Sequence, residues 1–156
     1  MNEFSLHEER LEPQTLQQAL QHPSCGGYVS FSGAVRDHNE GRTVLRLEYE
    51  AFAPLALREG TRILAEARAR FGLERAYCAH RIGLLQIGEL AVWVGVSSAH
   101  RGEAFDACRY IIDQIKHRVP IWKKEYYTDG DSGWDNCERC ATAVPTPGDR
   151  LVHDHG

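Results

Sequence analysis

No run of apolar residues approaches the ~20 that a membrane-spanning helix needs; the longest, such as Leu90–Val96, are strand-sized. Positive charge is not in excess either. Eighteen Lys and Arg face 22 Asp and Glu, for a formal net charge of −4, which argues against sequence-independent nucleic-acid binding as the main task. No Gly-rich phosphate loop, nucleophile elbow or His-Glu-x-x-His pattern occurs, and there is no internal repeat. The opening Met1-Asn-Glu-Phe-Ser-Leu6 carries no basic, apolar leader, and the five cysteines form an odd, scattered set. The expectation is therefore a cytoplasmic, reduced protein. What is present is a chain of 156 residues, 42% hydrophobic and 26% charged, the size and balance of one domain that buries roughly 70% of its unfolded surface without a disulfide staple.

Hydrophobic spacing predicts the order of elements. A short edge strand lies within the first dozen residues, and a short helix starts at Pro13 and stops before Gly26-Gly27. Tyr28–Val35 and Thr43–Ala51 read as two strands of a hairpin around the polar turn at residues 36–41. A helix opened by Pro54 buries Ala56, Gly60, Ile63, Leu64, Ala67 and Phe71 and ends at Gly72. Strands follow at Ala76–Leu85 and Ala91–Ser98. A third helix over Gly102–His117 places Phe105, Cys108, Ile111, Ile112 and Ile115 on one face and is ended by Pro120. Ile121–Tyr127 reads as a strand and Gly130–Gly133 as a loop. This order predicts an α+β fold with a mixed, mainly antiparallel sheet and about three helices. The domain spans residues 1–136, and the Pro- and Gly-containing tail at 137–156 is expected to be irregular.

The charge is unevenly placed. Between Ile115 and Lys124 stand four permanent cations, Lys116, Arg118, Lys123 and Lys124, and no acid. Lys116, His117 and Arg118 have an ordinary explanation, because basic groups complement the negative end of a helix dipole. Lys123 and Lys124 lie beyond it. On an extended strand they point to opposite faces, so one can share a pocket with Lys116 while the other faces outward. Converging ammonium groups lower one another's proton affinity, one route to a lysine that exchanges protons near neutral pH. By composition this is either an anion or catalytic site or a solvated charged surface. Arg36, at a strand end beside His38 and Asn39, and His100-Arg101, at the start of the third helix, are weaker anion-binding candidates.

Cys137-Glu-Arg-Cys140 is followed by His153 and His155, a partial match to a zinc clip. A single residue separates the histidines where about three to five are usual, so free thiols or an oxidation-sensitive pair are preferred over zinc. Cys25, Cys78 and Cys108 are expected in the core.

Several segments in order, Phe31-Ser-Gly-Ala-Val-Arg36-Asp-His-Asn39, Leu47-Glu-Tyr-Glu50, His80-Arg-Ile-Gly83, Gly88-Glu89, Ser98-Ala-His-Arg101, Ala104-Phe105 and Pro120-Ile-Trp-Lys-Lys-Glu125, resemble the large, catalytic subunit of molybdopterin synthase between about Tyr28 and Trp134. The resemblance implies an α/β hammerhead fold. It also implies a sulfurtransferase of molybdenum-cofactor biosynthesis that converts cyclic pyranopterin monophosphate into molybdopterin, installing two dithiolene sulfurs. The sulfur donor it implies is a small ubiquitin-like subunit with a C-terminal Gly-Gly thiocarboxylate, bound in a heterotetramer around a large-subunit homodimer, with no metal or redox cofactor. By the same resemblance Lys116 is the principal catalytic lysine and Lys123 the second, and both bind substrate together with the adjacent Lys124 and Glu125. Ala34, Val35 and Arg36 form a substrate loop, and His100 and Arg101 a substrate-binding pair. Arg139 is the nearest candidate for a C-terminal basic contact. The alternative is a non-catalytic module that docks an anionic ligand or a ubiquitin-like partner.

Spacing adds one expectation. Along one helix at ~1.5 Å per residue, His100 and Lys116 lie about 24 Å apart, so a small substrate that meets both requires His100 and Arg101 from a second subunit.

Overall fold

The computed structural model describes residues 3–136. The elements run β1 (Phe4–His7), α1 (Pro13–Gln18), β2 (Gly27–Ala34), β3 (His38–Asn39), β4 (Arg42–Ala51), α2 (Ala53–Phe71), β5 (Arg75–Arg81), β6 (Gly83–Gln86), β7 (Leu90–Ser98), α3 (Arg101–Arg118), β8 (Ile121–Tyr127) and β9 (Ser132–Asn136). They form an α+β fold. One sheet has the order β1-β5-β7-β2; the other runs β3-β4-β8-β9, with β6 also pairing with β4. Among the described pairs only β1 with β5 is parallel.

The core follows from which faces the helices cover. Ile63, Leu64 and Ala67 of α2 and Ala104, Ala107, Cys108, Ile111 and Ile115 of α3 pack on Cys78 of β5 and Val92, Val94 and Val96 of β7. The opposite face of that sheet is closed by Leu11 and Leu20 against Ala79 and Trp93. Strand β7, covered on both sides, is buried from Ala91 to Ser98, as an unbroken apolar run in a central strand requires. The two long helices are joined by Arg118, which donates from Nη1 to Glu66 Oε1 at 2.6 Å and from Nη2 to Glu59 Oε1 at 3.0 Å. No helix among the described residues is long and apolar enough to cross a membrane.

Four local expectations are corrected. Strands β2 and β4 do not form a hairpin: β2 pairs with β7, whereas β4 pairs with β8 and β6. The turn that exists joins β3 to β4 through Glu40 and Gly41, with φ of 50° and 80°, and positive φ at both central residues matches the twist of a two-residue hairpin. The stretch Ala76–Leu85 is two strands, because Gly83, with φ of 91°, turns the chain from the first sheet into the second. Residues after Asp131 re-enter the sheet as β9, against β8, and are not loop. Phe105 does not join the buried face of α3; it is 61% exposed, and Ala104 and Ala107 take the contact. Of the three cysteines expected inside, Cys78 and Cys108 are buried and Cys25 is half-buried. The expectations for Arg139 and the Cys137, Cys140, His153 and His155 set lie outside the described residues.

Candidate functional site

The lysine segment is shaped by the end of α3. Val119 leaves the helix with extended dihedrals, φ −87° and ψ 128°, because the following Pro120 disfavours the helical region. The chain then turns directly into β8. Lys116 remains on the last helical turn with its side chain exposed to solvent.

On β8 the alternation separates the two adjacent lysines. Lys123 lies opposite Tyr49 and Glu125 opposite Leu47 of β4, and Leu47 and Glu125 are both buried, so Lys123 belongs to the inward face. Glu125 is satisfied there: its Oε1 accepts from Asn39 Nδ2 and Tyr127 Oη, each at 2.9 Å, and its Oε2 stands 3.6 Å from Lys123 Nζ. A buried carboxylate with this set of partners fixes the height and direction of the lysine beside it. Lys124 points the other way. Its ammonium lies 5.2 Å from the Tyr126 ring and 5.5 Å from the Trp134 ring, within cation–π range.

His80 links the first sheet to this segment. It is 8% exposed, its ring meets Tyr49 edge-on at 4.9 Å, and Tyr49 is the register neighbour of Lys123. Nδ1 lies 2.7 Å from the Arg81 carbonyl, so Nδ1 carries the proton and Nε2 is left as an acceptor. Burial pushes the imidazole down to about 4; the Arg81 carbonyl opposes this, and the nearby Lys116 ammonium lowers it further. His80 is thus a neutral imidazole at physiological pH, close enough to Lys116 to feel its charge.

Arg36 follows β2 and is exposed, whereas Val35 before it is 5% exposed and packed with Leu47, Leu85 and Ala91. Ala34 ends the strand at a shift of register against β7. Of this trio only Arg36 presents a donor side chain to solvent; Val35 anchors the loop. His100 is the N-cap of α3 and Arg101 its first residue, both exposed, and with Gly26, Ala99 and Gly102 they line an open depression of about 480 Å³. A Cβ at Gly27 would stand 3.2 Å from the Arg101 amide nitrogen, so the glycine permits β2 to begin against the helix start.

The structure therefore sets Lys123 beside Glu125, relates Lys116 to them through His80 and Tyr49, and places Lys124 on the opposite face of β8. It does not bring His100 and Arg101 to the same region: they stand at the start of α3, an uninterrupted helix of 18 residues, and Lys116 on its last turn. Tyr49, His80 and Tyr127 were not singled out in the sequence as site groups. For His80 a signal existed, its place in the His80-Arg-Ile-Gly83 segment, but only the meeting of the two sheets reveals its relation to the lysines. Among the described residues no group of three or more His, Cys, Asp and Glu side chains is arranged to hold a metal ion.

Comparison with known proteins covers most of the chain. A family model described as MoaE protein matches residues 6–118. The catalytic subunit of molybdopterin synthase from Synechococcus elongatus is 49% identical over 115 residues, 72% of this chain and 70% of that protein. The corresponding subunit from Arabidopsis thaliana is 45% identical over 116 residues, 74% of this chain but only 59% of that protein. Among solved structures, molybdopterin synthase from Staphylococcus aureus superposes with a TM-score of 0.81 at 37% identity, covering 86% of this chain and 98% of that one.

Proposed function

Because this chain belongs to the MoaE protein family, we propose that it is the catalytic subunit of a molybdopterin synthase. It converts cyclic pyranopterin monophosphate to molybdopterin in the cytoplasm with sulfur delivered as the C-terminal thiocarboxylate of a small ubiquitin-like partner. The observation that supports the reading is Lys123, beside the buried Glu125 on the inward face of β8 and opposite Tyr49, whose ring meets the buried His80 that feels the Lys116 charge.

In this reading Lys116 is the catalytic lysine, protonating a leaving oxygen or assisting thiocarboxylate attack, and Lys123 is the second catalytic group. Arg36, His100 and Arg101 bind the phosphate and developing oxyanions through charge-assisted hydrogen bonds. Ala34 and Val35 shape the substrate loop, and Lys124 and Glu125 flank Lys123. Since α3 holds His100 and Lys116 at its two ends, the site is composite: two copies of this chain form a homodimer within a heterotetramer, and each supplies His100 and Arg101 to the other's lysines.

The test combines the protein with a thiocarboxylated small partner and the pterin precursor and measures dithiolene product. Formation of product is expected. Tight partner binding without product, under conditions in which a characterised synthase turns over, would replace this reading with that of a non-catalytic docking module.

A further inference from the structure

The His80–Gly83 and Gly88-Glu89 segments are given no role by the proposed chemistry, yet the structure joins them to the substrate loop. Arg81, at the end of β5, is 4% exposed. Its Nη1 donates to Glu89 Oε1 at 2.8 Å and its Nη2 to the Glu8 carbonyl at 3.0 Å. The other carboxylate oxygen, Glu89 Oε2, accepts the Gln86 amide at 2.8 Å. Both oxygens of Glu89 are therefore engaged, one by a buried guanidinium and one by the turn between β6 and β7. Its carboxyl is held below the ordinary range by the Gln86 amide first and Arg81 second. Gly83 and Gly88, with φ of 91° and 87°, allow the two bends that return the chain to Arg81.

The backbone of this turn grips the residue before Arg36. Val35 donates its amide to the Glu89 carbonyl at 3.0 Å, and its own carbonyl accepts the Gly88 amide at 2.9 Å. The ladder between β2 and β7 shifts register between Gly33 and Ala34, so beyond the shift the chain depends on this pair of bonds for its course. The apolar contacts of Val35 with Leu47, Leu85 and Ala91 hold the same point from below.

We infer that Arg81 and Glu89 are positioning residues for substrate binding: their buried ion pair sets the β6–β7 turn, the turn fixes Val35, and Val35 aims Arg36 at the anionic group of the substrate. The inference rests on the assignment of Arg36 made above. A donor displaced by about 1 Å loses much of its value to a bound anion, so the effect falls on substrate affinity.

The experiment measures KM and kcat for the pterin precursor in the reconstituted reaction for wild type, Glu89→Gln, Arg81→Lys, Arg36→Ala and the double variant Arg36→Ala/Glu89→Gln. Glu89→Gln is expected to raise KM roughly tenfold with a much smaller change in kcat. It should have little further effect once Arg36 is absent, because both substitutions then remove one interaction. Effects that multiply in the double variant, or a loss confined to kcat, overturn the inference. A wild type that binds its partner but makes no product overturns instead the function on which it rests. If Glu89→Gln and Arg81→Lys fail to fold, hydrogen exchange of the wild-type protein decides: the Val35 amide should be protected like those of β7, and exchange at the rate of an open loop refutes the clamp.

Discussion

At the residue scale two groups of the proposed site make opposite demands. Lys116 is exposed and can be removed without opening the core. Lys116→Ala should therefore leave the thermal midpoint nearly unchanged while lowering turnover by about 100-fold or more, the usual loss when a positioned proton donor is deleted. Unaltered kcat in the reconstituted assay would remove Lys116 from its role. His80 is buried and its effect is on stability. Its pKa falls from 6.5 to about 4 on folding, so below pH 6.5 the unfolded chain takes up a proton that the folded one refuses. The stability His80 permits is complete above pH 6.5 and drains away as pH falls toward 4, by about 3 kcal/mol in all. Urea denaturation at pH 7 and pH 4.5 should show this loss, and His80→Gln should flatten that part of the profile. Equal slopes for the two proteins would mean that His80 is not the group responsible.

At the scale of elements the packing is close where α2 crosses β1. A Cβ on Gly60 would stand 2.3 Å from Phe4 Cγ, and Phe4 is 1% exposed with no room to retreat. Gly60→Ala is expected to destabilise by about 1–3 kcal/mol despite the better helix propensity of alanine, and equilibrium unfolding measures it; a neutral or stabilising result would mean that the helix shifts freely. The gain and loss of legibility also lie at this scale. The helices were readable because Ile63, Leu64 and Ala67, and Ile111 and Ile115, repeat at helical spacing and do face the core. Phe105 shows the limit of that signal, since periodicity assigns a stripe but not its edge. The pairing of strands was not readable. Tyr28–Val35 and Thr43–Ala51 are consecutive and alternate like a hairpin, yet their partners, β7 and β8, lie far along the chain. The break at Gly83 was invisible in composition because the residues on both sides are apolar. Within the candidate site the lysines, Arg36 and His100-Arg101 were legible as local charge, whereas Tyr49 and His80 acquire meaning only when the two sheets meet.

At the scale of the whole molecule the acidic total of −4 conceals an uneven distribution that, under the proposed function, one copy of the chain does not complete. From Arg101 to Lys124 six Lys and Arg side chains stand against three acidic ones, spread along α3 and onto β8. Fifteen steps of helix put Arg101 about 22 Å from Lys116, more than a small phosphorylated pterin spans. A two-fold assembly resolves this, because a symmetric pair can bring the start of one α3 to the end of the other. The arrangement has a consequence that no single-chain site shares. His100→Ala and Lys116→Ala homodimers should each be inactive, since every site lacks one contribution. When the two variants are mixed and allowed to exchange subunits, half of the dimers are mixed, and in each of these one site receives both defects while the other receives none. Activity should then return to about a quarter of the wild-type level. Mixing either variant with itself provides the baseline. Should the exchanged mixture remain at that baseline while mass spectrometry confirms mixed dimers, His100 and Lys116 serve within one chain or in separate steps, and the composite site is wrong.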